Sequence, residues 1–336
     1  MQPQTKLPDG ITLRPAALSD VEELTHLINL VAMEMNGYNE IDTEEFETDL
    51  KTPGLDLEKD TRVAVNAKGK IVAYQDIFAI DAIPVRPNLF GRVHLDYMNK
   101  GIGSHLLEWA IERAKHVIDK VPADARVSAV AWTPPEWQPA VELLTDHAFN
   151  PYRHFLGMKI DLDEKPQTPV WPEGITVRTI TFPDELEMWF RTYNESFKDH
   201  FGRIDQPFEQ AFEQFKHFNL NDPHNDPDLW FIAMDGNQPA GILQGRKQNA
   251  ISPDQGYIHL LGVLRPYRKR GLGLALLLHG FNEFWKRGKK AATLGVDADS
   301  LTGAQKLYKK AGMYSYRKTA AFELELRPGK DISNTG

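Results

Sequence analysis

Tyr257-Ile258-His259-Leu260-Leu261-Gly262-Val263-Leu264-Arg265-Pro266-Tyr267-Arg268-Lys269-Arg270-Gly271-Leu272-Gly273-Leu274 reads as a strand that breaks into a turn and re-emerges as a helix start. The helix runs to about Lys286 and carries Leu274, Leu277, Leu278, Phe281 and Trp285 at helical spacing, one apolar stripe. A strand delivering a basic, double-glycine turn to a helix N-terminus aims free backbone N–H groups and the positive dipole end at one point. That geometry binds anions, and two closely spaced glycines admit a pyrophosphate to the main chain. Downstream come a strand at Ala291–Val296, the polar turn Asp297-Ala298-Asp299-Ser300, and a helix over Thr302–Lys310 bearing Tyr308. A phenol placed there can donate a proton.

Working outward, the chain repeats itself. Pro8-Asp9-Gly10-Ile11-Thr12-Leu13-Arg14 is echoed by Pro172-Glu173-Gly174-Ile175-Thr176-Val177-Arg178, 164 residues on. Lys100-Gly101-Ile102-Gly103 parallels Arg270-Gly271-Leu272-Gly273 at an offset of 170. Two separate motifs at nearly one offset point to a duplicated domain. The expected domains are 1–163 and 170–330, joined through the charged, proline-containing stretch Asp163–Pro169. In the second, residues 184–198 and 206–218 read as helices, and strands Leu229–Met234 and Pro239–Arg246 flank the hairpin signal Asp235-Gly236-Asn237. A strand over Ser315–Leu326 closes the order. The first domain follows the same order, so the fold class is α+β: two tandem domains, each a mixed, mostly antiparallel sheet flanked by helices.

At 336 residues the chain is long enough for two cores. It has no cysteine, which excludes disulfides, thiolate metal sites and a cysteine nucleophile. The net charge of −8 argues against a general nucleic-acid binder. No signal-peptide pattern and no apolar run of membrane-spanning length is present, so the expected location is cytoplasmic with no membrane partner.

The ordered set Arg268-x-x-Gly271-x-Gly273, helix, strand, and Tyr308 ahead of Ala311-Gly312-Met313 resembles the GNAT superfamily of N-acyltransferases over roughly 70 residues. The fainter first half extends the resemblance across nearly the whole chain, an organisation similar to tandem members of the mycothiol synthase type. The resemblance implies acetyl-CoA as co-substrate, no metal, and a small-molecule amine as acceptor. Backbone amides of Arg268, Lys269, Arg270, Gly271, Leu272 and Gly273 would hold the CoA pyrophosphate. Main-chain groups of Leu261 and Val263 would pair with the pantetheine arm, Ser300 would take a place usually held by asparagine, and Tyr308 would protonate the leaving thiolate. Family members often carry a glutamate base on the strand before the glycine loop; here Tyr257 holds that position. His259 lies two residues on, on the same strand face, and is the candidate base, directly or through water. Asp297 is a second candidate. A non-catalytic acyl-CoA-binding protein of the same fold is the competing reading.

In the first domain Met98 replaces the arginine, and aligning Leu143–Phe149 with Leu307–Met313 puts Leu144 where Tyr308 stands. That domain is expected to be catalytically degenerate. His217, Asp222, His224, Asp226 and Asp228 suggest a polar loop over a metal site. Trp132, Trp137, Trp171 and Trp230 suit either core or pocket lining.

Overall fold

The computed structural model describes residues 6–299 and 303–333. The chain forms two compact units, and neither is one uninterrupted half of the sequence. The first runs to Arg153 and takes in Thr319–Ile332; the second holds His154–Lys318.

The first unit contains β1 (Thr12–Arg14), α1 (Val21–Asn36), α2 (Thr43–Leu50), α3 (Leu57–Asp60), β2 (Thr61–Val65), β3 (Ile71–Phe78), β4 (Asn88–Val93), α4 (Ile102–Ala114), β5 (Val127–Thr133) and α5 (Gln138–Asp146). After β6 (Asn150–Asp161), the second contains β7 (Ile175–Thr179), α6 (Leu186–Ser196), α7 (Phe208–Leu220), β8 (Asn225–Asp235), β9 (Gln238–Arg246), β10 (Gln255–Val263), α8 (Leu272–Lys286), β11 (Ala291–Asp297) and α9 (Ala304–Lys310). β12 (Tyr314–Arg327) closes the chain.

The repeated motif does the same local work twice. Arg14 donates to both carboxylate oxygens of Asp20, which also accepts from the Ala17 amide ahead of α1. Arg178 donates likewise to Glu185, which accepts from the Thr181 amide ahead of α6. Each pair fixes the exit angle of a strand into a helix start, where a carboxylate also suits the dipole. The short helix α2, which hydrophobic spacing does not reveal, begins at Asp42, whose side chain caps the Glu45 amide.

The sheets are built alike. In the first unit the order is β1-β2-β3-β4-β5 with the second half of β12; in the second it is β7-β8-β9-β10-β11-β6. Every neighbouring pair is antiparallel except β4–β5 and β10–β11, which are parallel. The final strand of each repeat therefore completes the other repeat's sheet. β6 pairs with β11 from Phe155 to Asp161, and β12 pairs with β5 from Ala320 to Arg327. The division between units accordingly falls at Arg153, inside β6. The 163–169 stretch lies within the second unit, where Gln167 O accepts from Asn282 Nδ2 of α8. Burial explains the exchange: Met158 packs with Leu294 and Val296, while Ala320 and Phe322 pack with Ala129 and Phe149.

In the second unit α8 covers one sheet face and α6 with α7 the other. The buried face of α8 is broader than the expected stripe, taking in Leu272, Ala275, Leu276, Leu277, Leu278, Phe281 and Phe284. Trp285 falls outside it and is 38% exposed, because Phe284 fills the contact over Gly256. Trp230 is fully buried in an aromatic cluster with Trp189, 4.8 Å away, and Phe215. Among the described residues, no helix is long and apolar enough to cross a membrane.

Because β12 supplies Phe322 (3% exposed) to the first unit's core, Phe322→Ala is expected to destabilise that unit by about 3–5 kcal/mol. Urea unfolding followed by proteolysis should show first-unit peptides released before those of the second.

Candidate active site

The turn between β10 and α8 forms an anion nest from its backbone alone. After a single helical turn at Arg265–Tyr267, Lys269 (φ 61°) and Gly271 (φ 88°) both occupy the left-handed region with Arg270 between them. Such alternation turns successive amides toward one side. The first intrahelical bond of α8 is Ala275 N–H to Gly271 O, so the amides of Leu272, Gly273 and Leu274 precede any helical acceptor. The Arg268 amide is spent within the preceding turn, on Arg265 O at 3.2 Å. A side chain at Gly273 would press on Leu307 of α9 and Val263 of β10, at 3.3 and 3.7 Å. Both elements thus close onto the first turn of α8.

β10 and β11 begin as parallel partners and then part. Their pairing covers only Gln255, Gly256 and Tyr257 against Ala291, Ala292 and Thr293. On its other edge β10 stays paired with β9 to Val263, through a bulge between Ile258 and Leu260 that leaves His259 without a cross-strand partner. A bulge bends its strand and strengthens the local twist, which carries β10 away from β11. Leu264 N–H bonds to Ala240 O on the β9 side. Backbone directions alternate along a strand, so the amides of Leu261 and Val263 face the opened edge.

Three side chains group around Tyr257 here. The Tyr257 hydroxyl lies over β11, 3.7 Å from where a Cβ on Gly295 would sit. Tyr257 and His259 rings are 6.1 Å apart on one face, as their spacing predicts. Tyr308 is half-buried against the α8 core; burial, with the Tyr257 hydroxyl nearby, pushes its pKa up to about 12. His259 is open to solvent but sits in a concave, protein-rich setting. That desolvation, reinforced by Arg246 and opposed by Asp222, pushes its pKa down to about 4. Arg246 itself is bidentate on Asp222, at 2.6 and 2.8 Å. Ser300 lies outside the described residues.

The model of the acetyltransferase (GNAT) family matches residues 186–313, which span α6 to the end of this site. A solved GCN5-related N-acetyltransferase from Sphaerobacter thermophilus is 31% identical, covering 97% of this chain and 99% of its own at a TM-score of 0.79. The chain belongs to the GNAT family. It is therefore an acyltransferase enzyme of the acetyltransferase type. A tandem GNAT protein from the clavulanic acid biosynthesis pathway shares the fold at 17% identity and a TM-score of 0.71, covering 95% of this chain and all of its own. Among curated relatives, the mycothiol acetyltransferase of Corynebacterium efficiens is 25% identical over 84% of this chain and 86% of its own. That of Thermomonospora curvata is 28% identical over 67% and 69%.

The GNAT loop uses its arginine in an unexpected way. The Arg268 guanidinium points away from the nest amides, donating to Val263 O (3.0 Å), Ser196 O (2.9 Å) and Asp199 Oδ2 (2.9 Å). Arg265 also donates to Asp199. No sequence spacing marks Asp199, since its partners lie 66 and 69 positions away. His200 was equally silent: its ring lies 4.2 Å from that of Phe197 at a 40° tilt, and crowding and Arg268 lower its pKa while Asp297, at the end of β11, opposes them. The stretch read as a polar loop is largely ordered structure. Asn219 lies in the last turn of α7, Asp222 holds Arg246, and β8 begins at Asn225.

The first GNAT unit repeats the backbone pattern of this site with different side chains. Asn99 (φ 58°) and Gly101 (φ 82°) repeat the left-handed alternation, and β4 meets β5 only at Asn88 and Leu89. A Cβ on Gly103 would meet Leu143 and Val93 at 3.3 and 3.6 Å, as one on Gly273 would meet Leu307 and Val263. That contact fixes Leu144 as the counterpart of Tyr308. The parting strands enclose a cavity of about 270 Å³ lined by Met98, Leu144, Trp132 and Trp137. Lys100, the remaining loop cation, folds back onto Asp96 O and the Tyr97 ring.

An NMR titration should follow His259 as a neutral ring through pH 6–8, with its midpoint near 4. The folded value lies below the unfolded value of about 6.5, so the group's contribution to stability is complete above pH 6.5 and falls away as pH drops toward 4. A midpoint above 6 would contradict the crowded setting.

Proposed function

We propose that the second unit transfers an acetyl group from acetyl-CoA to a primary amine of a small molecule, by direct attack in a ternary complex. The observation that carries this is the open edge of β10: amides of Leu261 and Val263 lead from the nest at Lys269–Gly273 toward Tyr308. A strand-like amide chain, ending in a diphosphate, satisfies both features at once. The arm would bond to Leu261 and Val263 through their N–H groups, since Val263 O is already occupied by Arg268. The amides of Lys269, Arg270, Gly271, Leu272 and Gly273 would hold the phosphates; Arg268 would contribute through the shape it gives the loop. The name borne by the curated relatives, mycothiol acetyltransferase, supports a small-molecule acceptor.

Magnitudes decide how Tyr308 acts. A phenol near 12 delivering its proton to a thiolate near 8.5 runs uphill by about 3.5 units, or about 5 kcal/mol. Full transfer is therefore unfavourable. Tyr308 instead stays protonated and donates a hydrogen bond to the sulfur as charge develops there, worth about 1.5–3 kcal/mol. The amide nearest the thioester carbonyl polarises it in the same way. His259, neutral at physiological pH, is ready to accept a hydrogen bond from the amine or a bridging water. Its conjugate acid near 4 is too strong to retain an ammonium proton, so His259 relays that proton and does not store it. The first unit, with Leu144 in the donor position, would not turn over.

Thiol release from acetyl-CoA with glucosamine, spermidine, an aminoglycoside and an amino acid tests the reading. Tyr308→Phe is expected to lower kcat about 10- to 150-fold, the loss of one hydrogen bond to a charged group, with coenzyme A affinity unchanged. His259→Ala is expected to lower kcat/KM less than about tenfold, because the relaying group is a weak base. Coenzyme A binding with no turnover on any amine would favour a non-catalytic binding protein.

A further inference from the structure

The segment after α6 runs across the open end of the site. A Cβ on Gly262 of β10 would collide with Ser196 Oγ and approach the Phe197 ring at 3.1 Å, so α6 ends directly on the strand beside the opened edge. Three residues later, His200 feels both Arg268, in the loop after β10, and Asp297, at the end of β11. The backbone between them turns tightly, with His200 N–H on Phe197 O at 3.0 Å and Arg203 N–H on His200 O at 3.2 Å. Arg203 closes the turn by donating to Asn194 at 2.6 Å. What ties this turn to the rest of the unit is Asp199, whose two carboxylate oxygens take Arg265 and Arg268. Arg268 completes the tie by donating also to the last carbonyl of α6 and to Val263 O.

We propose that Asp199 is a positioning residue for acyl transfer. It anchors residues 197–203 across the mouth of the β10–β11 opening, where Phe197 and His200 form the wall that aligns the incoming amine, an assignment that rests on the acyl-transfer reading above. The nest binds phosphate with main-chain amides, which leaves the guanidinium of Arg268 for this second task. One arginine then links the loop that holds the cofactor, the strand that presents its arm, and the wall that meets the acceptor. Planar guanidinium suits this role: its five N–H groups reach three acceptors in fixed directions, which a lysine cannot reproduce.

Asp199→Asn and Asp199→Glu in the full chain separate this role from a phosphate-binding one. Amide hydrogen exchange needs no ligand; at His200 and Arg203 it is expected to rise at least about tenfold in Asp199→Asn and less than about threefold in Asp199→Glu. Calorimetry with coenzyme A is expected to give a Kd within about threefold of the unsubstituted chain for both. With acetyl-CoA saturating, and the best-turned-over amine of the set above as probe, KM for the amine should rise about tenfold in Asp199→Asn with kcat within about threefold, and recover in Asp199→Glu. Unchanged exchange would overturn the proposal. So would an unchanged amine KM, or a coenzyme A Kd shifted tenfold, which would assign the two arginines to phosphate. If exchange rises but the unsubstituted chain binds no coenzyme A, the anchoring stands and the acyl-CoA reading falls.

Discussion

The opening in the second unit follows from backbone hydrogen bonds that β10 and β11 begin and then abandon. Main-chain groups removed from water need partners, and each parted residue leaves groups facing an empty edge. The fold tolerates this because β10 remains fully paired to β9 on its other side and because α8 holds Ile258 and Leu261 beneath it. The bulge at His259 makes the parting local: it bends one strand without disturbing the ladder from Leu260 to Val263. An edge of this kind inside a sheet cannot recruit another strand easily. The packing around it keeps the two strands apart.

The two units act as an internal comparison. Both have a parallel pair that parts early, left-handed residues at the same two loop positions, and a leucine from the later helix seated on the second glycine. They differ where chemistry would occur. The second has a phenol, a histidine in a bulge and an arginine bound to three elements. The first has Leu144, a β3–β4 ladder whose register runs unbroken from Phe78 to Ala73, and Met98. The scaffold depends on packing and main-chain conformation, which tolerate many side chains. The side chains beside the opening differ at single positions.

That distinction also explains what could be read in advance. The duplicated order, the mixed sheets, the glycine turn and the Leu144–Tyr308 correspondence were legible because they leave periodic or spaced residues in the chain. The exchange of β6 and β12 was not, since both strands carry the apolar pattern of a core strand and either sheet would bury them. Trp285 fitted the helical stripe, yet Phe284 won the core position because Gly256 leaves room for its ring. The destination of Arg268 was hidden for a different reason. A basic loop beside an anion site suggests phosphate, and only the fold shows that Asp199 claims the guanidinium first.

The pKa pattern gives the arrangement its chemical sense. Tyr308 is raised and His259 lowered, each chiefly by crowding, so both remain neutral across the physiological range. Two neutral side chains beside one opening neither attract nor repel a charged group there. The charged groups nearby are instead bound to one another: Arg246 to Asp222, and Arg265 and Arg268 to Asp199. Charge here therefore fixes position, while the side chains beside the opening stay uncharged. In a crowded cleft that division is the economical one, because a fixed dipole stabilises developing charge without first having to be desolvated.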